Sequence, residues 1–548
     1  MRVYLSLTIA ALGLAVALAV GPARGAEAGI DAGIRALVAG DSGDSAETPL
    51  RRFYEARGFS PAWVGQPQRI AALTAILADA THEGLEIRVA KSAPATGDAG
   101  EAAHDVALTQ AAFDYAAALA VGRVRPDQVE TDWAIPPDGF DATAGLAAAL
   151  KGDLAGWYAG LAPHHPFYER LKSGLARYRK IAEAGGWVQV PRGDPLKLGA
   201  IDPRVRALRR RLAAEGDLAP AFVPPERARS EASGADGTEL VRRVSASDPT
   251  PRAGASAADD PAALFDGAVE QAVRRFQNRH GIAVDGAVGP RTLAAMNVPV
   301  RARIREIELN LERWRALPHE LGSSFMLVNV PAERLDVIEH GAATISMKVV
   351  VGDPQHPTPV VRTWMVAVTL NPTWTIPASI VKKELQPKIK RDHAYLGKND
   401  IVFTTGRGWQ QLPGPKNPLG RIKFESPNRF DVYLHDTPSR LAFDRYFRAQ
   451  SHGCVRLEHA DELAGFVLQG TAWDAPQIAA AVAAGDNRRI DLKRRWRIYL
   501  VYATSFADDD GTMEFRDDLY GRDARLRDAL AAFGKHQEPQ KQAKLGRL

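Results

Sequence analysis

One cysteine stands among 548 residues, in the string Ser451-His452-Gly453-Cys454-Val455-Arg456-Leu457. A thiol attacks as the thiolate, and a free thiol with a pKa of about 8.5 is mostly protonated at neutral pH. An imidazole that can take up the proton is its natural companion. Two histidines qualify. His452 lies two residues from Cys454, and side chains two apart on an extended segment point the same way. His435 lies 19 residues upstream, closing the run Val432-Tyr433-Leu434, and would arrive from a neighbouring strand. Gly453 allows close backbone approach, so N–H groups around Gly453 and Cys454 could face the charge developing on an attacked carbonyl. Asp436 follows His435 directly and would point to the opposite face of a strand. A backbone carbonyl is therefore at least as good a partner for the imidazole. Arg456 either pairs with a substrate carboxylate or forms a structural ion pair with Asp431 or Glu458. Ser451 is a second substrate-binding candidate.

Other chemistries find no support in the sequence. The 13 histidines include no His-Glu-x-x-His pattern, and one cysteine cannot build a thiolate zinc site, so no metal and no cofactor are expected. No phosphate-binding glycine loop is present. The 70 Lys and Arg against 65 Asp and Glu leave a net charge of +5, too weak and too dispersed for a nucleic-acid surface. No intrachain disulfide can form. At the N-terminus, Arg2, an Ala-rich run from Val3 to Val20 and Ala23-Arg24-Gly25 read as a signal peptide, residues 1–25, cleaved after Gly25. That predicts a periplasmic protein. An uncleaved inner-membrane anchor is the alternative.

The elements that must position the thiol follow from periodicity. From Phe325 the sequence breaks into short β-rich runs: Met326 to Val330, Arg334 to Glu339, Thr344 to Val351, Trp364 to Leu370, Asp431 to Leu434 and Trp496 to Ala503. A mainly β, sandwich-like catalytic domain over 325–505 is expected. Residues 376–421 interrupt it with a Lys-rich helix and Gly/Pro-rich loops, an inserted capping subdomain beside the cleft. Upstream, 45–195 reads as a helical scaffold and 299–324 as a linker helix. Residues 506–548 are left as a C-terminal tail. Residues 196–298 contain two helical pieces around a stretch, 217–262, that reads as a disordered insertion. Val273, Phe276, Gln277, Gly281, Asp285, Gly286, Gly289, Pro290, Thr292 and Leu293 resemble the small three-helix peptidoglycan-binding module of wall hydrolases and transpeptidases. The whole is a multidomain α+β chain.

His435 and Ser451-His452-Gly453-Cys454, with their spacing, resemble the signature of the L,D-transpeptidase family. The helical region, the module and the cap resemble its large periplasmic members. The resemblance assigns the base to His435 and leaves His452 to orient the loop or the substrate. It implies that Cys454 attacks a tetrapeptide stem of peptidoglycan, forms a thioester and passes the acyl group to an amine of a second stem, making a 3→3 cross-link. It also implies acylation by β-lactams of the carbapenem type. Transfer to water (an L,D-carboxypeptidase) or to a wall-attached protein keeps the same nucleophile. A non-catalytic wall-binding protein is the reading of another class.

Overall fold

The computed structural model describes residues 29–39, 48–87, 97–220 and 260–537. The signal peptide and residues 221–259 of the expected insertion lie outside them. The chain divides into two compact units, one ending at Leu175 and resuming at Glu306, the other spanning Ala176–Arg305. The helical region and the catalytic region thus share one unit.

The helical region is built on the helix Asp98–Val121. Its Asp105 is fully buried and would be costly there without partners. It accepts hydrogen bonds from the Tyr54 hydroxyl (2.6 Å) and from the N–H groups of Ala62, Trp63 and Val64 (2.7–2.9 Å). Tyr54 and Trp63 are core residues there.

The catalytic region carries fourteen described strands: β1 Ser324–Asn329, β2 Arg334–Glu339, β3 Ala342–Gly352, β4 Val361–Leu370, β5 Trp374–Thr375, β6 Ile401–Thr404, β7 Gly408–Gln411, β8 Ile422–Glu425, β9 Leu434–His435, β10 Ala449–Ser451, β11 Val455–Leu457, β12 Arg488–Val501, β13 Ser505–Ala507 and β14 Met513–Phe515. Nine of them form one sheet in the order β10-β3-β11-β9-β8-β4-β12-β1-β2, and β2 pairs back onto β3. β3 makes the closure. Its first half, to Lys348, lies against β2, while Val349 and Val350 pair with β11 and its last residues with β10. The mainly β domain is as expected, its layers joined into a ring. β1 is buried at every position after Ser324, as a strand covered on both faces must be.

Two expectations change here. β9 is only Leu434–His435, because Asp431 takes a positive φ of 52° and cannot continue a strand. The stretch taken as a C-terminal tail is folded through Gln537: β13 and β14 form a hairpin, and a helix runs over Arg522–Gln537. It is held by ion pairs of Arg525 with Glu130 (2.8 Å) and of Arg522 with Asp132.

The inserted subdomain has its own small core of Ile376, Leu385 and Ile401, with Trp374 and Trp409 packed against it. It contains more than a helix and loops. β7, inside the expected loop, is the central strand of the sheet β5-β7-β6.

In the second unit the helices Arg204–Ala214, Gly267–Arg279 and Pro290–Met296 surround a core that includes Val205, Leu208, Leu212, Val273 and Phe276. The Gly286 turn needs its glycine: φ is +75°, and the N–H donates to Gln277 Oε1 (2.8 Å) while Gln277 Nε2 donates to Asp285 (2.7 Å). Asp217 and Leu218, read as part of the insertion, are buried, and Asp217 pairs with Arg279 at 2.6 Å.

Candidate active site

β9 and β11 run parallel, with Leu434 opposite Val455 and His435 opposite Arg456. That register brings Tyr433 beside Cys454 and puts Tyr433, His435, Cys454 and Arg456 on one face. The Val455 N–H donates to the Tyr433 carbonyl at 3.0 Å and fixes this alignment.

Cys454 is half-buried at the end of a glycine turn. Burial pushes its thiol up, while Tyr433, the Lys423 ammonium and the Arg456 guanidinium act the other way. Its Sγ faces the Asp431 carbonyl at 3.8 Å. Among the described residues no hydrogen bond joins Sγ to the imidazole of His435 or His452.

His435 is buried, and its Nδ1 meets the Asp436 carbonyl at 2.5 Å. The orienting group is thus a backbone carbonyl and not the Asp436 side chain. That carboxylate accepts the Arg421 N–H (2.7 Å) and pairs with Arg440 (2.7 Å). Burial, helped by the nearby Arg456 guanidinium, pushes His435 down to about 3, so its imidazole is neutral at rest. A neutral imidazole can accept the thiol proton, and catalytic hydrogen bonds often tighten only once substrate is bound.

His452 points elsewhere. Its Nε2 meets Glu384 Oε1 of the cap at 3.0 Å, and its ring lies 4.5 Å from that of His356. It ties the catalytic turn to the inserted subdomain. Glu384 sits in a π-helical stretch, Val381–Leu385, a local irregularity that sequence periodicity does not reveal.

Ser451 forms part of the turn's frame. It is buried; its Oγ donates to the Cys454 carbonyl (2.6 Å) and accepts from the Gly453 N–H (3.1 Å). The one proton of this hydroxyl is committed to that carbonyl. The bond from the Gly453 N–H removes that N–H as an oxyanion donor. The Cys454 N–H has no acceptor among the described residues and is the better candidate. Gly453 itself adopts φ +105°, which disfavours any side chain.

Arg456 forms neither of the ion pairs weighed for it. Glu458 is taken by Lys348 at 3.4 Å, and among the described residues no carboxylate pairs with Arg456. Its Nε is buried without a partner. Lys423, opposite His435 on β8, lies 4.2 Å from the Tyr433 ring and adds a second cation near the thiol. Sequence reading missed Tyr433, Lys423 and Glu384. Tyr433 alone carried a local signal, two residues before His435.

Residues 323–478 match the family described as L,D-transpeptidase catalytic domain. Residues 48–175 match a scaffold domain, and residues 252–296 a family described as "Putative peptidoglycan binding domain". A Haemophilus influenzae protein described as "Putative L,D-transpeptidase" is 27% identical over 241 residues, which cover 40% of this chain. The match spans about half (49%) of that relative's length. Among solved structures, an L,D-transpeptidase from Mycobacterium smegmatis is 13% identical, with 33% of this chain and 58% of that one covered and a TM-score of 0.19. L,D-transpeptidase 3 from Mycobacterium tuberculosis is 14% identical, with 33% and 61% covered and a TM-score of 0.18. Scores this low carry no argument about function.

Proposed function

We propose that this protein is a periplasmic L,D-transpeptidase that forms 3→3 peptidoglycan cross-links through a thioester on Cys454. The observation that carries the reading is the lone thiol beside a guanidinium, Arg456, that no carboxylate pairs among the described residues, within a stretch that matches the L,D-transpeptidase family. An arginine buried at Nε without a partner is suited to a carboxylate brought by substrate.

In the first step His435 takes the Cys454 proton, and sulfur attacks the carbonyl of the third residue of a tetrapeptide stem. A C–S bond forms, and the Cys454 N–H faces the oxyanion. The C–N bond breaks as His435 returns the proton to the departing D-alanine amine. In the second step a side-chain amine of another stem attacks the thioester. Its proton goes to His435 and then to sulfur, which restores the thiol. No cofactor is used. Carbapenem β-lactams would acylate the same sulfur, and the cap would close on the donor stem through Glu384 and His452.

Wall fragments incubated with the protein and examined by mass spectrometry test the reading. Released D-alanine together with 3→3 dimers is expected from the wild type, and neither from Cys454→Ala. D-alanine without dimers would make the enzyme a carboxypeptidase. Wild-type turnover by Cys454→Ala would end the thiol mechanism.

A further inference from the structure

The peptide between Gly453 and Cys454 is planar and trans, so its C=O and N–H point in opposite directions. Whatever holds the Gly453 carbonyl therefore aims the Cys454 N–H. The holder is Thr358, whose Oγ1 donates to the Gly453 carbonyl at 2.8 Å. Thr358 is fully buried and lies in the Pro357-Thr358-Pro359 segment between β3 and β4. Its hydroxyl also accepts the Gly352 N–H at 2.8 Å, so its one proton is committed to Gly453.

Thr358 is in turn fixed from outside the catalytic sheet. The Tyr520 hydroxyl donates to the Gly352 carbonyl (2.6 Å) and accepts the Thr358 N–H (3.2 Å). The Arg522 guanidinium donates to the Thr358 carbonyl (3.2 Å) and to Asp132 of the helical region. The next residues, Asp132 to Ala134, pair with Val360 through N–H···O bonds of 3.0 and 2.8 Å. A Cβ at Gly352 would run into the His356 carbonyl and the Thr358 N–H, so this knot has no slack at that point.

We propose that Thr358 is a positioning residue of the acyl-transfer centre. Its hydroxyl turns the Gly453–Cys454 peptide so that the Cys454 N–H faces the cleft, and Tyr520, Arg522 and Asp132 brace it from the C-terminal segment and the scaffold. The inference rests on the acyl-transfer reading of Cys454 but not on the identity of the natural substrate.

Two probes of the full-length protein separate orientation of that N–H from reactivity of the thiol. p-Nitrophenyl acetate acylates sulfur through a tetrahedral oxyanion: a C–S bond forms, the ester C–O bond breaks, and p-nitrophenolate leaves. Iodoacetamide alkylates the same sulfur by displacing iodide, with no oxyanion. Thr358→Val should lower the ratio of acylation to alkylation rates about tenfold or more, within the range seen when one oxyanion donor is lost. Thr358→Ser should restore the ratio, and Tyr520→Phe should lower it less. The last two variants carry the test if the valine variant does not fold. An unchanged ratio in Thr358→Val overturns the proposal, and when the valine variant is unfolded an unchanged ratio in Tyr520→Phe, or a ratio in Thr358→Ser lowered tenfold although its hydroxyl is kept, does the same. So does a wild type acylated no faster than Cys454→Ala. A normal wild-type ratio without any turnover of peptidoglycan fragments would instead remove the proposed function and leave the role of Thr358 standing.

Discussion

At the scale of the residue, the site separates groups that neighbour each other in the chain. His435 and Asp436 are consecutive, yet the imidazole is held by the Asp436 backbone while the carboxylate serves Arg421 and Arg440. His452 is nearer than His435 to Cys454 in sequence, but it bonds to the cap. If His435 is the base, His435→Ala should lose roughly 10²–10⁴-fold in D-alanine release, the usual worth of general-base help. Asp436→Asn should lose far less, since an amide oxygen can still accept the Arg421 N–H. Steady-state release of D-alanine from a tetrapeptide checks both. An inactive His452→Ala beside an active His435→Ala would exchange the two assignments.

At the scale of the element, the surroundings of the thiol depend on one short strand pair and one turn. The parallel register of β9 and β11 decides which side chains flank the thiol. The cap meets the turn through the Glu384–His452 contact, where both side chains are about 40% exposed. Contacts this exposed are worth at most about 1 kcal/mol, so the cap's hold there is weak and reversible. Glu384→Gln should therefore raise KM for a tetrapeptide donor by no more than about fivefold and leave the melting temperature unchanged. A loss of kcat above tenfold would make Glu384 part of the chemistry. Removing Thr405–Lys416 is a harsher change than its Gly/Pro content suggests, because it takes out β7, the strand that joins β5 and β6.

At the scale of the molecule, the helical region is part of the unit that carries the site, and its buried groups bear on stability. His165 packs 4.6 Å from Trp314, and burial pushes it down to about 4. His435 is lower still, at about 3. An unfolded histidine titrates near 6.5, so between about 4 and 6.5 the unfolded chain binds protons that these two refuse. Their contribution is complete above about 6.5 and is lost as the pH falls, with a limiting slope of ~1.4 kcal/mol per pH unit for each. Glu333, pushed up to about 7 by burial, acts in the opposite sense over the same range. Comparison of variants isolates one group. His165→Phe should flatten the fall of the urea midpoint between pH 6.5 and 4.5 relative to wild type. Parallel curves would show that His165 does not titrate on unfolding.

Much of this was legible in the sequence. The thiol and the glycine turn are local signals, and His435, 19 residues upstream, is legible as a histidine closing a short apolar run. The positions of β1, β2 and β4, and of the helices after Arg204 and Gly267, follow from periodicity, which a strand or helix imposes residue by residue. Other features were not legible. That Arg456 has no carboxylate among the described residues and that Glu384 reaches His452 depend on side chains meeting across long separations, while the bonds of the Ser451 hydroxyl are local but set by the geometry of its turn. The joining of the sheet through β3 and the folding of the C-terminal segment against Glu130 and Asp132 are likewise long-range. The sequence by itself singled out the one thiol and the elements that surround it. Only the tertiary structure decided which neighbour aims each group, because a hydrogen bond is made between positions in space and leaves no period along the chain.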